Sequence, residues 1–274
     1  MTFSYNSIIN ISSSGGGGRT MKKIGSAVMF LLAAVTMSIQ AEKLTIGVIE
    51  VPPFIEMQAD GHGWSPQIVT ESLKGLGYDI EYKVYPYIRL LEMLDAGELA
   101  GGLCTIPEGK GANLLIQNLY NFRITFFYKK SAFPNGIDYS TLSDLGKYNI
   151  GLLAGAPQTD TLKKAGLKLD FTNDEKNDMQ KLKGGRIDLV SIPEIMGFSA
   201  LKAIGENWED YAVTKPLATL PASIAISKKY SNSEKVINDL SAGYARALKS
   251  GALTKILENV FYGAGKVPDW VLKF

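Results

Sequence analysis

Three carboxylates, one guanidinium and several aromatic rings stand where this chain's apolar runs end, and those groups are suited to gripping a small charged molecule. Glu50 follows the first strand-like run, Glu108 the third and Glu194 a later one. Each can face a cleft and meet a cationic group, or remain a solvated loop carboxylate. Arg89 lies in the first helical turn after Pro86. Its guanidinium can turn inward to hold an anion, or pair outward with Glu92 at i, i+3. Phe54, Trp64, Tyr85 and Tyr87 can form walls around a ligand or pack in the core. Tyr87 falls on an apolar stripe, which favours core, whereas Phe54 and Tyr85 fall at strand ends. The segment Gly155-Ala156-Pro157-Gln158 precedes a helix, where free N–H groups can hold an anion. Ala156 and Gln158 are the candidates there, since Pro157 has no N–H.

Hydrolytic and metal chemistry have little to draw on. His62 is the only histidine and Cys104 the only cysteine, so a histidine-based triad or a multi-histidine site lacks its parts. Cys104 reads as a buried strand residue. Neither G-x-x-x-x-G-K nor G-x-G-x-x-G occurs between a strand and a helix. No catalytic residue, metal site or cofactor is expected.

The elements that position these residues centre on 85–110, YPYIRLLEMLDAGELAGGLCTIPEGK. Pro86 suits a first helical turn, and Tyr87, Leu90, Leu91 and Leu94 follow at i, i+3, i+4, i+7. Gly97 ends that helix. Residues 99–104 are short and apolar, as a buried strand is. They run into the polar loop 105–110, which carries Thr105, Glu108 and Lys110. In an open α/β sheet such a loop lies at a strand's carboxyl end, where ligands bind.

Upstream, residues 44–49 read as a strand, Ser65 and Pro66 as a helix start, and 79–84 as a second strand, giving alternation with parallel crossovers. Residues 122–128 are an aromatic strand. A second alternating series then runs from 149, with Asn173 as a helix cap. Ser231 and Glu234 have capping-box spacing ahead of a stripe of Val236, Leu240, Tyr244 and Leu248.

The sequence has 274 residues, 46% of them hydrophobic, with 29 basic against 27 acidic side chains. That balance argues against a nucleic-acid partner. From Met21, Lys22 and Lys23 precede an apolar stretch over 27–37 and a small residue at Ala41. This is the three-part pattern of a secretory signal peptide, with the mature chain expected from Glu42. Residues 1–20, with a low-complexity run over 12–18, read as a misassigned leader. No cysteine follows the apolar stretch, so no lipid anchor is expected and the product is placed in the periplasm.

The signal, VPPF at 51–54, YPYIRLLEMLDAGEL, TIPE, GLLAGAP and GGRIDLV, in this order and spacing, resemble the bacterial extracellular solute-binding proteins of family 3. The resemblance covers residues 42–274. It implies an α/β fold of the periplasmic-binding-protein-like type II, with two lobes joined by two crossing segments around a central cleft. Lobe 1 would be 42–127 plus 220–274, and lobe 2 would be 128–219. It also implies a monomeric receptor that captures a small polar solute, an amino acid or related compound, for an ABC permease. Two positions depart from the family pattern. Gly109, followed by Lys110, stands where an arginine usually grips the ligand carboxylate. Pro193, followed by Glu194, stands where an aspartate usually meets the ligand amino group. Two other functions fit the same fold. One is a sensor subunit for a membrane signalling protein. The other is a dehydratase acting on cyclic acids, with Glu194 as a general acid.

Overall fold

The computed structural model describes residues 41–103, 111–259 and 267–273. Two strand–helix series follow one another along it. The first is β1 (Glu42–Val48), α1 (Trp64–Leu73), β2 (Tyr78–Val84), α2 (Tyr87–Ala96) and β3 (Gly101–Leu103). A sixteen-residue strand, β4 (Leu114–Lys129), leads to the second series. That series is β5 (Asn149–Leu153), α3 (Thr159–Lys164), β6 (Lys168–Thr172), α4 (Glu175–Lys183) and β7 (Leu189–Pro193). The chain then forms α5 (Glu194–Ala203), β8 (Tyr211–Val213), β9 (Ala218–Ser227), α6 (Ser233–Lys249) and α7 (Ala252–Leu257).

The nine strands make one mixed sheet in the order β2-β1-β3-β9-β4-β7-β5-β6, with β8 paired to β4. The outer triplets share a plan. β1 lies between β2 and β3, parallel to both, and β5 lies between β6 and β7, parallel to both. A helix crosses over after each first strand, as parallel pairing requires. The triplets are joined by β4 and β9, antiparallel from Leu114↔Ser227 to Ile124↔Ala218 with a register shift between Asn118 and Tyr120.

The packing follows burial. Leu44, Ile46 and Val48 of β1 form a core with Trp64, Ile68, Leu240 and Tyr244 under α1 and α6. Those helices approach closely because residue 243 is glycine: a Cβ there would overlap the Ser72 carbonyl oxygen. In the second triplet, Ile150, Leu152 and Leu189 pack with Leu162 of α3. Val190 and Ile192 pack instead with Met179, Leu182 and Leu201 of α4 and α5. Helices therefore cover that triplet from two sets of side chains.

Several helix boundaries differ from the sequence reading. α1 begins at Trp64 with Gly63 as N-cap, and Ser65 bonds Tyr120 instead of capping. Pro86 is the N-cap of α2, not its first turn. Gly97 closes that helix at φ 80° as expected, its N–H reaching Leu94 O and Met93 O. Asp174, not Asn173, caps α4, accepting from the Lys176 N–H at 2.7 Å. Before α6, Asn232 takes a left-handed conformation, and its φ of 65° leaves no capping box with Ser231 and Glu234. β4 begins eight residues before the aromatic run, because β9 offers a partner along its full length. Residue 104, the loop 105–110 and the signal-like residues 21–40 lie outside the described residues. No described helix is long and apolar enough to cross a membrane.

Candidate ligand-binding cleft

In a sheet ordered 2-1-3, the chain leaves its first and third strands toward opposite sides, and a crevice opens at their carboxyl ends. This sheet has two such switch points, at β1/β3 and at β5/β7. Residues from both line one cleft of about 320 Å³, within the size range of small-molecule sites. Ile49, Val51, Phe54 and Ile55 come from the exit of β1, and Leu103 ends β3. Residues 153–158 come from the exit of β5, and residues 191–193 end β7. Between them Tyr120, Phe122, Ile124 and Ala222 contribute from the crossing strands β4 and β9.

The wall beyond β1 is aromatic and tightly held. Val51 and Ile55 exchange backbone hydrogen bonds at 2.9 and 3.0 Å, closing a short loop around Pro52 and Pro53. The loop presents Phe54, which stacks on Tyr120 with centroids 5.8 Å apart. Phe54 also meets Trp64 edge-on at 5.5 Å and Phe122 at 5.9 Å. The hydroxyls of Ser65 and Tyr120 lie 2.8 Å apart and bond each other. Apolar carbon therefore dominates what this wall offers a ligand.

The wall beyond β5 is built from small residues and three polar side chains, Gln158, Glu175 and Ser191. Gln158 is 6% exposed. Its Nε2 donates to the Ser191 carbonyl at 3.2 Å and to Ser191 Oγ at 3.3 Å. A carbonyl only accepts, so this contact fixes the amide's orientation. It leaves Gln158 Oε1 buried without a hydrogen-bond partner, a condition that costs about 1–3 kcal/mol. Glu175, in the first turn of α4, is the one carboxylate among the described residues of the lining, and no Lys, Arg or His joins it there.

The sequence candidates divide clearly by position. Phe54, Ala156 and Gln158 meet in the cleft. Trp64 is fully buried behind Phe54 and supports that wall without lining the cleft. Glu50 is exposed, its Oε1 accepting from the Met57 N–H at 3.2 Å. Tyr85 packs with the cluster around Leu90 and Leu94. Arg89 is half exposed on α2, 3.5 Å from Glu92 and 3.4 Å from Glu98. Glu194 opens α5. Burial raises its carboxyl above the ordinary range and the Arg123 charge works against that rise. Arg123 itself lies 3.9 Å over the Trp270 ring. Thr105, Glu108 and Lys110 lie outside the described residues. No cluster of three or more His, Cys, Asp or Glu among the described residues could hold a metal ion.

The sequence reading missed Tyr120, Phe122 and Ile124 as cleft residues. Their signal was present: they alternate along β4 and so share one face. Glu175 and Ser191 gave no comparable signal, because each reaches the cleft through the way the second triplet folds.

Solved structures match this architecture across most of the described chain. An ancestral arginine-binding protein bound to arginine superposes with a TM-score of 0.59 at 21% identity, over 81% of this chain and 99% of that one. The substrate-binding protein of an amino-acid ABC transporter matches with a TM-score of 0.57 at 19% identity, over 80% and 99%. The fold is that of the family-3 solute-binding proteins. A histidine kinase sensor domain described as similar to periplasmic binding proteins shares it, with a TM-score of 0.62 at 14% identity over 86% and 99%. So does an ancestral amino-acid-binding precursor of cyclohexadienyl dehydratase. No protein-family model matches the sequence, and no curated protein sequence does.

Proposed function

We propose that this protein is a secreted receptor that captures a small solute, an amino acid or related compound, in the cleft and performs no chemistry on it. One observation carries the reading: a single cleft is lined from the carboxyl ends of both parallel triplets, with the crossing strands β4 and β9 between them. A ligand touching both sides stabilises the arrangement that brings them together, shifting a population already accessible. In this reading, 42–127 with 220–274 form one lobe and 128–219 the other, and β4 and β9 are the crossings. The signal-like N-terminal segment supports delivery to the periplasm. The transporter protein among the structural neighbours supports a role beside an ABC permease, with the receptor acting as a monomer.

Sensing is the second reading, favoured by the sensor domain that shares the fold over 86% of this chain. The same cleft would then report occupancy to a membrane partner. Dehydration is less supported, because the described lining offers Glu175 as its one carboxylate and Glu194 does not line it.

A thermal-shift screen against amino acids, polyamines and organic acids tests the receptor. A ligand in excess raises stability by RT ln(1 + [L]/Kd), about 2.7 kcal/mol at a hundredfold excess over Kd. The reading predicts a clear shift with the hit recovered unchanged by mass spectrometry. Recovery of a dehydrated product would make the protein an enzyme. Deleting the gene for this protein separates import from sensing, because uptake of the hit falls only if the protein serves import.

A further inference from the structure

The two walls make different demands on whatever sits between them. The β1 side offers Phe54, Phe122 and Ile124, and Met196 after β7 adds to this apolar surface. Their polar neighbours Ser65 and Tyr120 bond each other. A ligand made mostly of polar groups would be desolvated against such a wall without partners for the groups left unbonded. The β5 side offers Gln158 Oε1, buried, fixed in orientation and unpartnered, and the carboxylate of Glu175. Both are acceptors. No ion pair engages Glu175 among the described residues, and no described lining residue is basic.

We propose that the cleft selects ligands combining a bulky apolar body with an ammonium group, the body lying on the Phe54 wall and an N–H bonding Gln158 Oε1, with Glu175 supplying the negative charge. The inference rests on the receptor reading and narrows its ligand class. Two sources share this chemistry: α-amino acids with large apolar side chains, and simple arylalkyl amines.

Isothermal titration calorimetry on the purified protein tests it, with L-phenylalanine, L-leucine, phenethylamine, 3-phenylpropionate, glycine, L-glutamate and L-arginine as probes. The expected result is that phenylalanine, leucine or phenethylamine binds at least tenfold tighter than glycine, glutamate or arginine. 3-Phenylpropionate, which keeps the ring and lacks the ammonium, binds at least tenfold more weakly than the best of them. Gln158→Leu weakens the ammonium-bearing probes about tenfold and leaves 3-phenylpropionate within twofold. Glu175→Gln weakens them severalfold. Binding of phenethylamine assigns the amines, and binding of phenylalanine or leucine alone assigns the amino acids. Should Gln158→Leu fail to melt cooperatively, the near-isosteric Gln158→Met takes its place, with the same tenfold loss expected for the ammonium-bearing probes and unaltered affinity again overturning the inference. Tightest binding of glutamate or arginine overturns the inference while the receptor reading stands. So does an unaltered affinity for the ammonium probes in Gln158→Leu. Absence of any retained ligand, here and in the wider screen, overturns the receptor reading itself.

Discussion

The two parallel triplets of the sheet have the same strand order and the same crossovers, yet they finish their cleft-facing ends differently. After β1 the chain closes a short proline-containing loop over fully buried Trp64. Two buried hydroxyls of that half are bonded, Ser65 to Tyr120 and Ser72 to the Ile68 carbonyl. After β5 the chain turns through Gly155 at φ 81° into a short helix. That half buries two polar side chains with an oxygen left unpartnered, Gln158 and Asp178. Gly151 makes room for the second, since a Cβ there would stand 2.9 Å from Asp178 Oδ1. One half is built for packing and the other retains polar capacity. Identical topology therefore leaves the division of labour to the loops and to a few side chains beneath them.

The largest effect is expected where packing is densest. Trp64→Ala should cost about 3–5 kcal/mol of stability, read as a fall in the chemical-denaturation midpoint. A loss below 1 kcal/mol would mean that the aromatic wall is not what holds the β1 loop.

Next comes Asp178. Burial pushes its carboxyl up to about 6, against about 4 in an unfolded chain. Between those values the folded protein binds more protons than the unfolded one, so stability falls as pH rises through about 4 to 6. The penalty is complete above that window and absent below it. Asp178→Asn should add about 2–3 kcal/mol at pH 8 and nothing at pH 4. Equal changes at both pH values would assign the effect to packing alone.

Gln158→Leu marks the contrast from the other side. It removes an unsatisfied buried acceptor along with two hydrogen bonds, and should change stability by less than about 1 kcal/mol. A loss as large as that for Trp64→Ala would erase the difference between the halves. The smallest effect belongs to Arg89→Ala. Exposed ion pairs contribute about 0–1 kcal/mol, and the two pairs that Arg89 makes are on the surface. Stability should move by less than about 0.5 kcal/mol and ligand affinity by less than twofold.

The alternating series and the Gly97 stop were legible because they depend on local pattern. Leu90 and Leu94 are buried as their spacing requires. Capping choices were less legible. Asn173 and Asp174 are both capable caps, and only the strand's exit geometry selects Asp174. The cleft was readable where a residue follows its own strand, as Phe54, Ala156 and Gln158 do. It was opaque where a second element decides. Arg89 looks like an anion grip by type, but Glu92 and Glu98 hold it on the surface. Glu175 has the look of an ordinary first-turn acid until β6 and β7 carry it to the cleft wall.

The central claim is that one cleft, lined from both triplets, holds the ligand. The direct test is calorimetry of the tightest hit with the native protein and with Ala156→Trp, which fills the β5 side of the cleft from a half-buried turn position. The account predicts stoichiometric binding to the native protein and at least a hundredfold loss in the variant, which still melts cooperatively without ligand. Equal affinity in the two proteins would contradict it and place the ligand elsewhere.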